Sequence, residues 1–319
     1  MTPIALATEH QLDTTPVHQL LDAIQDEILS GQSPLEQTID RLTRGLERLR
    51  TSVPNEVWSE RARELVAHPL THLLHQDPFT RRCFTKPRGY AGDARMIDYI
   101  YGEADDDDST ELGRRILEAN RQAPAPQAVR YRKQMLAAAI DAAAARVERP
   151  RVLAVACGHL REGRVSDAVQ HRRLGELVAL DQDARSLDVV NREFGPLGVR
   201  TELGRVRDLI VGRHAADLTG FDLVYAAGLY DYLRDDAARR LTQTLFGMLT
   251  SGGTLLVANF LPGIRDRGYM ESFMNWHLIY RTMREIETLG EGIPRDQMAG
   301  TRMFDDPTHN IGFLEIVKR

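Results

Sequence analysis

From Arg151 onward the sequence repeats one device, a short and almost wholly apolar run followed by a longer amphipathic stretch. Arg151–Cys157 reads RVLAVAC, Leu177–Leu180 LVAL, Phe221–Ala226 FDLVYA and Thr254–Phe260 TLLVANF. A half-exposed strand alternates apolar and polar residues, whereas runs without alternation belong to strands buried on both faces, as parallel sheets require. With helical stretches between them, these runs predict a doubly wound α/β sheet. Ile311–Val317, IGFLEIV, is expected to close the chain as an antiparallel strand.

Upstream the periodicity is helical. Val17, Leu20, Leu21, Ile24 and Ile28 recur at helical spacing behind Pro16. Leu35, Ile39, Leu42, Leu46 and Leu49 form a second stripe after the break at Gly31 and Ser33-Pro34. Shorter helical pieces run to about Gln76. KPRGYAGD, residues 86–93, combines two glycines, a proline and two basic residues, which excludes a regular element and predicts an ordered polar loop. The acidic run Asp105–Asp108, read as a solvated loop, and the Pro124/Pro126 pair mark a boundary. The expected organisation is a helical domain over 1–122 and an α/β domain over 123–319, entered through a helix from about Gln127 to Val147.

The balance of 41 Lys and Arg against 46 Asp and Glu, formally −5, gives no reason to expect nucleic acid as a partner. Cys83 and Cys157 lie far apart and belong to no CxxC pair, so neither a disulfide framework nor a zinc site is expected. His68, His72 and His75 share a helical stripe without an evident carboxylate partner, and no metal is expected there. Residues 1–16 lack a basic segment followed by an apolar core, and no apolar stretch approaches ~18 residues. These features predict a cytoplasmic protein with no membrane span and a small-molecule substrate.

In open α/β sheets, ligands bind beyond the carboxyl ends of the strands, where the strand order reverses. The first strand runs into Ala156-Cys157-Gly158-His159-Leu160-Arg161-Glu162-Gly163, where small residues at 156 and 158 let backbone approach a ligand closely. Asp181 ends the next strand, where an acid can accept both ribose hydroxyls of a nucleoside. This arrangement resembles the class I S-adenosylmethionine (SAM)-dependent methyltransferases over roughly residues 127–319. Gly204-Arg205-Val206-Arg207-Asp208 matches the segment that family lays against adenine, Phe221–Tyr225 its fourth strand, and Leu249–Leu255 its turn into the fifth.

The loop departs from the family pattern. Ala154 stands at the usual acid, Ala156 at the first glycine and Leu160 at the third. A dinucleotide favours an intact G-x-G-x-x-G that admits a pyrophosphate; SAM carries no phosphate, so the missing glycines point away from a dinucleotide. The resemblance implies a Rossmann-like, doubly wound class I methyltransferase sheet with an N-terminal all-α lid domain, SAM as cosubstrate and no metal. KPRGYAGD, VRYR (129–132) and NWHLIYR (275–281) are similar to a bacterial subgroup that includes enzymes linked to 3-hydroxypalmitate methyl ester biosynthesis. They also resemble azetidine-2-carboxylate synthases, which cyclise SAM itself.

For the cofactor, the resemblance implies Arg132 at the SAM carboxylate, Ala156 and Gly158 in the loop, Asp181 at the ribose, and Arg205 and Val206 beside the adenine. Asn259, ending the fifth strand, is a candidate donor toward the site. Around the reacting centre the candidates are Tyr90, in its glycine-flanked loop, and Tyr225, Tyr230 and Tyr232, whose faces suit a sulfonium. Asp231 reads as a base or as a helix cap. Trp276, His277, Tyr280 and Arg281 are expected on one helical turn, where an aromatic, an imidazole and a guanidinium suit an acidic acceptor. Core packing or a surface role competes with each assignment. Three functions follow: methyl transfer from SAM to a small or fatty acid-type acceptor beneath a helical lid, cyclisation of SAM with release of methylthioadenosine, and non-catalytic SAM binding. The first leads, because most domains of the fold that the resemblance implies transfer methyl groups and no residue here demands the alternative.

Overall fold

A computed structural model describes residues 15–104, 109–213 and 217–319. The run Asp105–Asp108 and the first fourteen residues lie outside the described residues. Among the described residues, eight helices precede the first strand: α1 (Thr15–Ser30), α2 (Leu35–Ser52), α3 (Asn55–Val66), α4 (Leu70–Leu74), α5 (Pro78–Thr85), α6 (Ala94–Tyr101), α7 (Glu111–Arg121) and α8 (Pro124–Arg146). The α/β part then runs β1 (Arg151–Val155), α9 (Asp167–Gln170), β2 (Glu176–Asp181), α10 (Ala184–Phe194), β3 (Val199–Leu203), α11 (Val206–Ile210), β4 (Phe221–Ala226) and α12 (Asp235–Gly247). It ends with β5 (Leu249–Phe260), α13 (Arg267–Glu271), α14 (Met283–Glu287), β6 (Met298–Asp305) and β7 (Ile311–Lys318).

The stripe read from the sequence is the buried face of α2: Leu35, Ile39, Leu42 and Leu46 are all buried. Each such side chain contributes about 1.5–3 kcal/mol when removed from water. Helices and sheet are not separate cores. Leu42, Phe79 and Met96 from the helices join one cluster with Ala128 of α8, Val152 of β1 and Phe313 of β7. Polar bonds cross the same boundary. Asp77 caps α5 and accepts a 2.8 Å bond from Asn120 of α7, whose amide also meets the Tyr269 hydroxyl of α13 at 3.3 Å. Buried Arg50 of α2 pairs with Glu271 of α13.

The sheet has the order β3-β2-β1-β4-β5-β7-β6, with β1 to β5 parallel and β7 antiparallel to both β5 and β6. This is a doubly wound sheet, mostly parallel, preceded by the expected helices. The chain moves outward from β1 to β3, then returns to lay β4 against the other edge of β1. The strand order therefore reverses between β1 and β4, and a crevice opens beyond their carboxyl ends.

Two readings change. β5 begins at Leu249, so Leu249–Leu255 is strand where a turn was expected. Residues 275–282 form no helix, so Trp276 and Tyr280, like His277 and Arg281, are not stacked one turn apart. Helical spacing is overridden there by backbone pairing: Ile279 N–H donates to the Asp231 carbonyl at 2.7 Å and Arg281 N–H to the Phe260 carbonyl at 3.0 Å.

A candidate ligand-binding crevice

At the switch point lies a cavity of about 470 Å³, walled by the loop after β1, the ends of β2, β4 and β5, the inner face of α8, and residues 89–94. The loop keeps the backbone of a glycine-rich turn with few glycines. Ala156, Gly158 and Leu160 have φ of 52°, 54° and 53°, so all three stand in the left-handed region. For a residue with a Cβ that conformation costs roughly 1–2 kcal/mol. A Cβ at Gly158 would come within 3.2 Å of Ala94, so glycine is retained where α6 crowds the loop.

Asp98 of α6 holds the strained turn. Its carboxylate lies 2.8 Å from His159 Nδ1 and accepts from Arg161 Nε at 2.7 Å and Nη2 at 2.9 Å. Burial alone would raise this carboxyl, but the bonds from Arg161 and His159 outweigh burial and hold it below the usual carboxylate range. Asp181 fixes the other side of the loop, accepting from Gly158 N–H at 2.8 Å and Asp183 N–H at 2.9 Å. Burial pushes the Asp181 carboxyl up, against those backbone donors.

The opposite wall is charged and unpaired. Arg132 is 7% exposed and lines the cavity, yet its guanidinium makes no hydrogen bond or ion pair among the described residues. It sits beside the backbone after β4, where a Cβ at Gly228 would lie 3.5 Å from its Nη2. Glu162 is buried and accepts the Tyr225 O–H at 2.7 Å. Asp231, 2% exposed, accepts Phe260 N–H at 2.7 Å; burial pushes its carboxyl up to about 6, against the pull of Arg132 and that amide.

Residues 86–93 run between the two ends of the crevice, from Asp183 after β2 to Tyr232 after β4. Arg88 donates to Asp183 at 3.0 Å and to Ser186 Oγ at 3.1 Å, while Asp93 caps α6 and accepts from Arg82 Nε at 2.9 Å. Tyr90 enters the cavity lining; burial and then the carboxylates of Asp181, Asp93 and Asp183 raise its phenol well above the ordinary value. It is a neutral hydroxyl at physiological pH, not a ready base. Trp276 Nε1–H donates to the Tyr232 hydroxyl at 2.8 Å, and both residues line the cavity.

The crevice thus gathers Tyr90, Arg132, Ala156, Gly158, Asp181, Val206, Tyr225, Asp231, Tyr232 and Trp276 from the sequence candidates. The others are placed outside the lining. Tyr230 is fully buried on the far face of the sheet, bonded to Thr242 Oγ1 at 2.9 Å. Asn259 Nδ2 donates to the Ile279 carbonyl at 2.9 Å, and its Oδ1 accepts from Arg281 Nη1 at 2.6 Å. Arg281 is 2% exposed and also donates to the Tyr230 carbonyl and to Asp235, which pins the segment after β4. Tyr280 lies under the Arg267 guanidinium, 4.6 Å from it. Arg205 is exposed at the start of α11. Arg130, two positions before Arg132 on α8, donates to the Arg121 and Ile100 carbonyls. His68 meets Asp22 and His75 the Phe273 carbonyl, so the histidine stripe is divided between separate partners.

Glu162, His159 and Asp98 were not singled out from the sequence. Glu162 and His159 lie within the loop motif, but only the tertiary partners show what they do.

No protein-family model and no curated protein matches this chain. Among solved structures, the fold is similar to that of a possible exported protein from Bordetella parapertussis, with 17% identity over 95% of this chain and 98% of the other and a TM-score of 0.58. That likeness extends through the helices as well as the sheet. A putative O-methyltransferase from Nostoc punctiforme overlaps 61% of this chain and 57% of its own, at 17% identity and a TM-score of 0.44. Magnesium protoporphyrin IX methyltransferase from Synechocystis, with bound S-adenosylhomocysteine, overlaps 70% and 92%, at 11% identity and a TM-score of 0.47. These likenesses concern the fold alone.

Proposed function

We propose that this chain binds SAM in the crevice between β1 and β4 and transfers its methyl group to a small acidic acceptor. The observation that carries the reading is the pairing of Asp181, poised for a ribose, with Arg132, a buried guanidinium that lacks a protein anion. A ligand with a nucleoside at one end and a carboxylate at the other satisfies both. A dinucleotide fits less well. The element after the loop is a four-residue 3-10 turn, Arg161–Arg164, rather than a helix whose N-terminus could take a pyrophosphate.

SAM supplies a sulfonium-activated methyl group, which an acceptor oxygen captures as the carbon–sulfur bond breaks and its electron pair returns to sulfur. In this reading Asp181 holds the ribose, Val206 lies against the adenine, and Arg132 takes the carboxylate bidentately. Tyr90, Tyr232 and Trp276 present aromatic faces toward the sulfonium and exclude water. An acidic acceptor needs little deprotonation, so no strong base is required. The helical region, residues 1–122, acts as the lid domain of the α/β domain 123–319. Both thiols are free, in keeping with a reducing compartment; no helix among the described residues is long and apolar enough to cross a membrane.

A second reading is cyclisation. The cavity, about 470 Å³, has the size of a site for one drug-sized ligand, which leaves little room for a fatty acyl chain beside SAM. The ligand's α-amino group, having lost a proton to Asp231, would attack its own γ-carbon and expel methylthioadenosine. Incubation of the protein with SAM alone, followed by chromatography, tests both readings. Methyl transfer leaves SAM intact until an acceptor is added and then yields S-adenosylhomocysteine; accumulation of methylthioadenosine above the non-enzymatic background overturns it in favour of cyclisation.

A further inference from the structure

The loop after β1 lacks the acid that the resemblance expects within the strand, because position 154 is alanine. The structure brings another carboxyl to the same place. Ala154 is directly paired with Tyr225 of β4, and the Tyr225 hydroxyl donates to Glu162, which returns from the 3-10 turn eight positions along the chain. Glu162 therefore stands over the same pair of strands, buried and lining the cavity.

Three charged side chains line the crevice beside α8 and β4: Arg132 on α8, Glu162 bonded to Tyr225 of β4, and Asp231 just after β4. None is ion-paired with another, and each is at least nine-tenths buried. Arg132 nevertheless lies near enough to both acids to draw each carboxyl downward against the effect of burial. Isolated buried charges are costly until a ligand pairs with them. One cation and two anions call for a ligand segment with one anion and two cations. The amino-acid arm of SAM has that pattern: carboxylate, α-ammonium and sulfonium.

We propose that Glu162 binds the α-ammonium of SAM and that Asp231 is the counter-charge to the sulfonium. The inference rests on the SAM reading above. S-adenosylhomocysteine keeps the ammonium but has lost the sulfonium charge, so Asp231 makes the site prefer the charged cosubstrate over its neutral-sulfur product. Methylthioadenosine has no arm at all and serves as the internal control.

The test is calorimetric titration of the full-length protein, Glu162→Gln and Asp231→Asn with SAM, S-adenosylhomocysteine and methylthioadenosine. Both substitutions are isosteric; the glutamine keeps an acceptor for Tyr225 and the asparagine one for Phe260. Glu162→Gln is expected to weaken SAM and S-adenosylhomocysteine alike by about tenfold or more, with methylthioadenosine unchanged. Asp231→Asn is expected to weaken SAM by about tenfold while leaving S-adenosylhomocysteine within about twofold, so that the preference between them collapses. The proposal is overturned if Glu162→Gln binds SAM like the wild type or loses methylthioadenosine in equal proportion, or if Asp231→Asn keeps the wild-type preference. Wild-type protein that binds none of the three instead overturns the SAM reading itself.

Discussion

The two ends of the crevice are built on opposite plans. At the β2 end the polar groups already have protein partners: Asp181 accepts two backbone N–H groups, Arg88 is bound to Asp183, and the loop is tied down by Asp98. At the β4 end Arg132 has no partner among the described residues, and two acids lie near it without forming an ion pair. The first end is rigid before any ligand arrives, whereas the second is electrostatically incomplete. On the proposed reading, such a site would grip the nucleoside by shape and read the charged arm by electrostatics.

Arg132→Met is the most severe way to break that contrast. Losing one partner of a buried, hydrogen-bonded charge pair costs about 2–5 kcal/mol, so SAM affinity should fall by that amount while methylthioadenosine binds as before. Equal loss for both ligands, measured by calorimetry, would show that the two ends do not act separately. Asp181→Ala should weaken SAM and methylthioadenosine together by roughly 1.5–3 kcal/mol, the range for hydrogen bonds to a charged group. An effect confined to SAM would place the ribose elsewhere.

How much of this was legible differs element by element. Strands buried on both faces announced themselves as apolar runs, whereas β3 (VRTEL) and β6 (MAGTRMFD), at the two edges of the sheet, carry the polar residues that edges tolerate and gave no such signal. The spacing of NWHLIYR suggested a helix, but backbone bonds to Asp231 and Phe260 draw that segment out. Asp181 could be read from its place after a strand. Glu162 and Asp98 could not, because their meaning depends on partners 63 residues away in each case. Tyr230 and Arg281 had the right chemistry but are committed to the protein's own groups, Tyr230 to Thr242 from the 3-10 turn after β4 and Arg281 to Asn259 and Asp235.

Two smaller effects sharpen the contrast at the rigid end. Asp98→Asn removes the charge from the clamp, and should cost about 1.5–3 kcal/mol of unfolding free energy in urea at neutral pH. The folded carboxyl sits below its unfolded value, so its contribution is present above the unfolded pKa, ~3.9, and is lost as pH falls through the folded pKa. The difference between wild type and variant should therefore shrink below about pH 4; a constant gap would mean the clamp is not electrostatic. Ala156→Gly is the mildest change. Relief of the left-handed strain at φ 52° exceeds the entropy cost of glycine only slightly, so stability should rise by about 0.5–1 kcal/mol, visible as a small shift in the urea midpoint with SAM affinity unaltered.

Gly92 faces the Tyr232 hydroxyl so closely that an added Cβ would stand 2.2 Å from it, and 3.6 Å from the Trp276 indole nitrogen. A single methyl group there would work as a doorstop. Either the Tyr232 side chain or the loop would have to give way, at the expense of the bond from Trp276. The bare backbone at that one position is what lets residues 86–93 pack against the Tyr232–Trp276 pair.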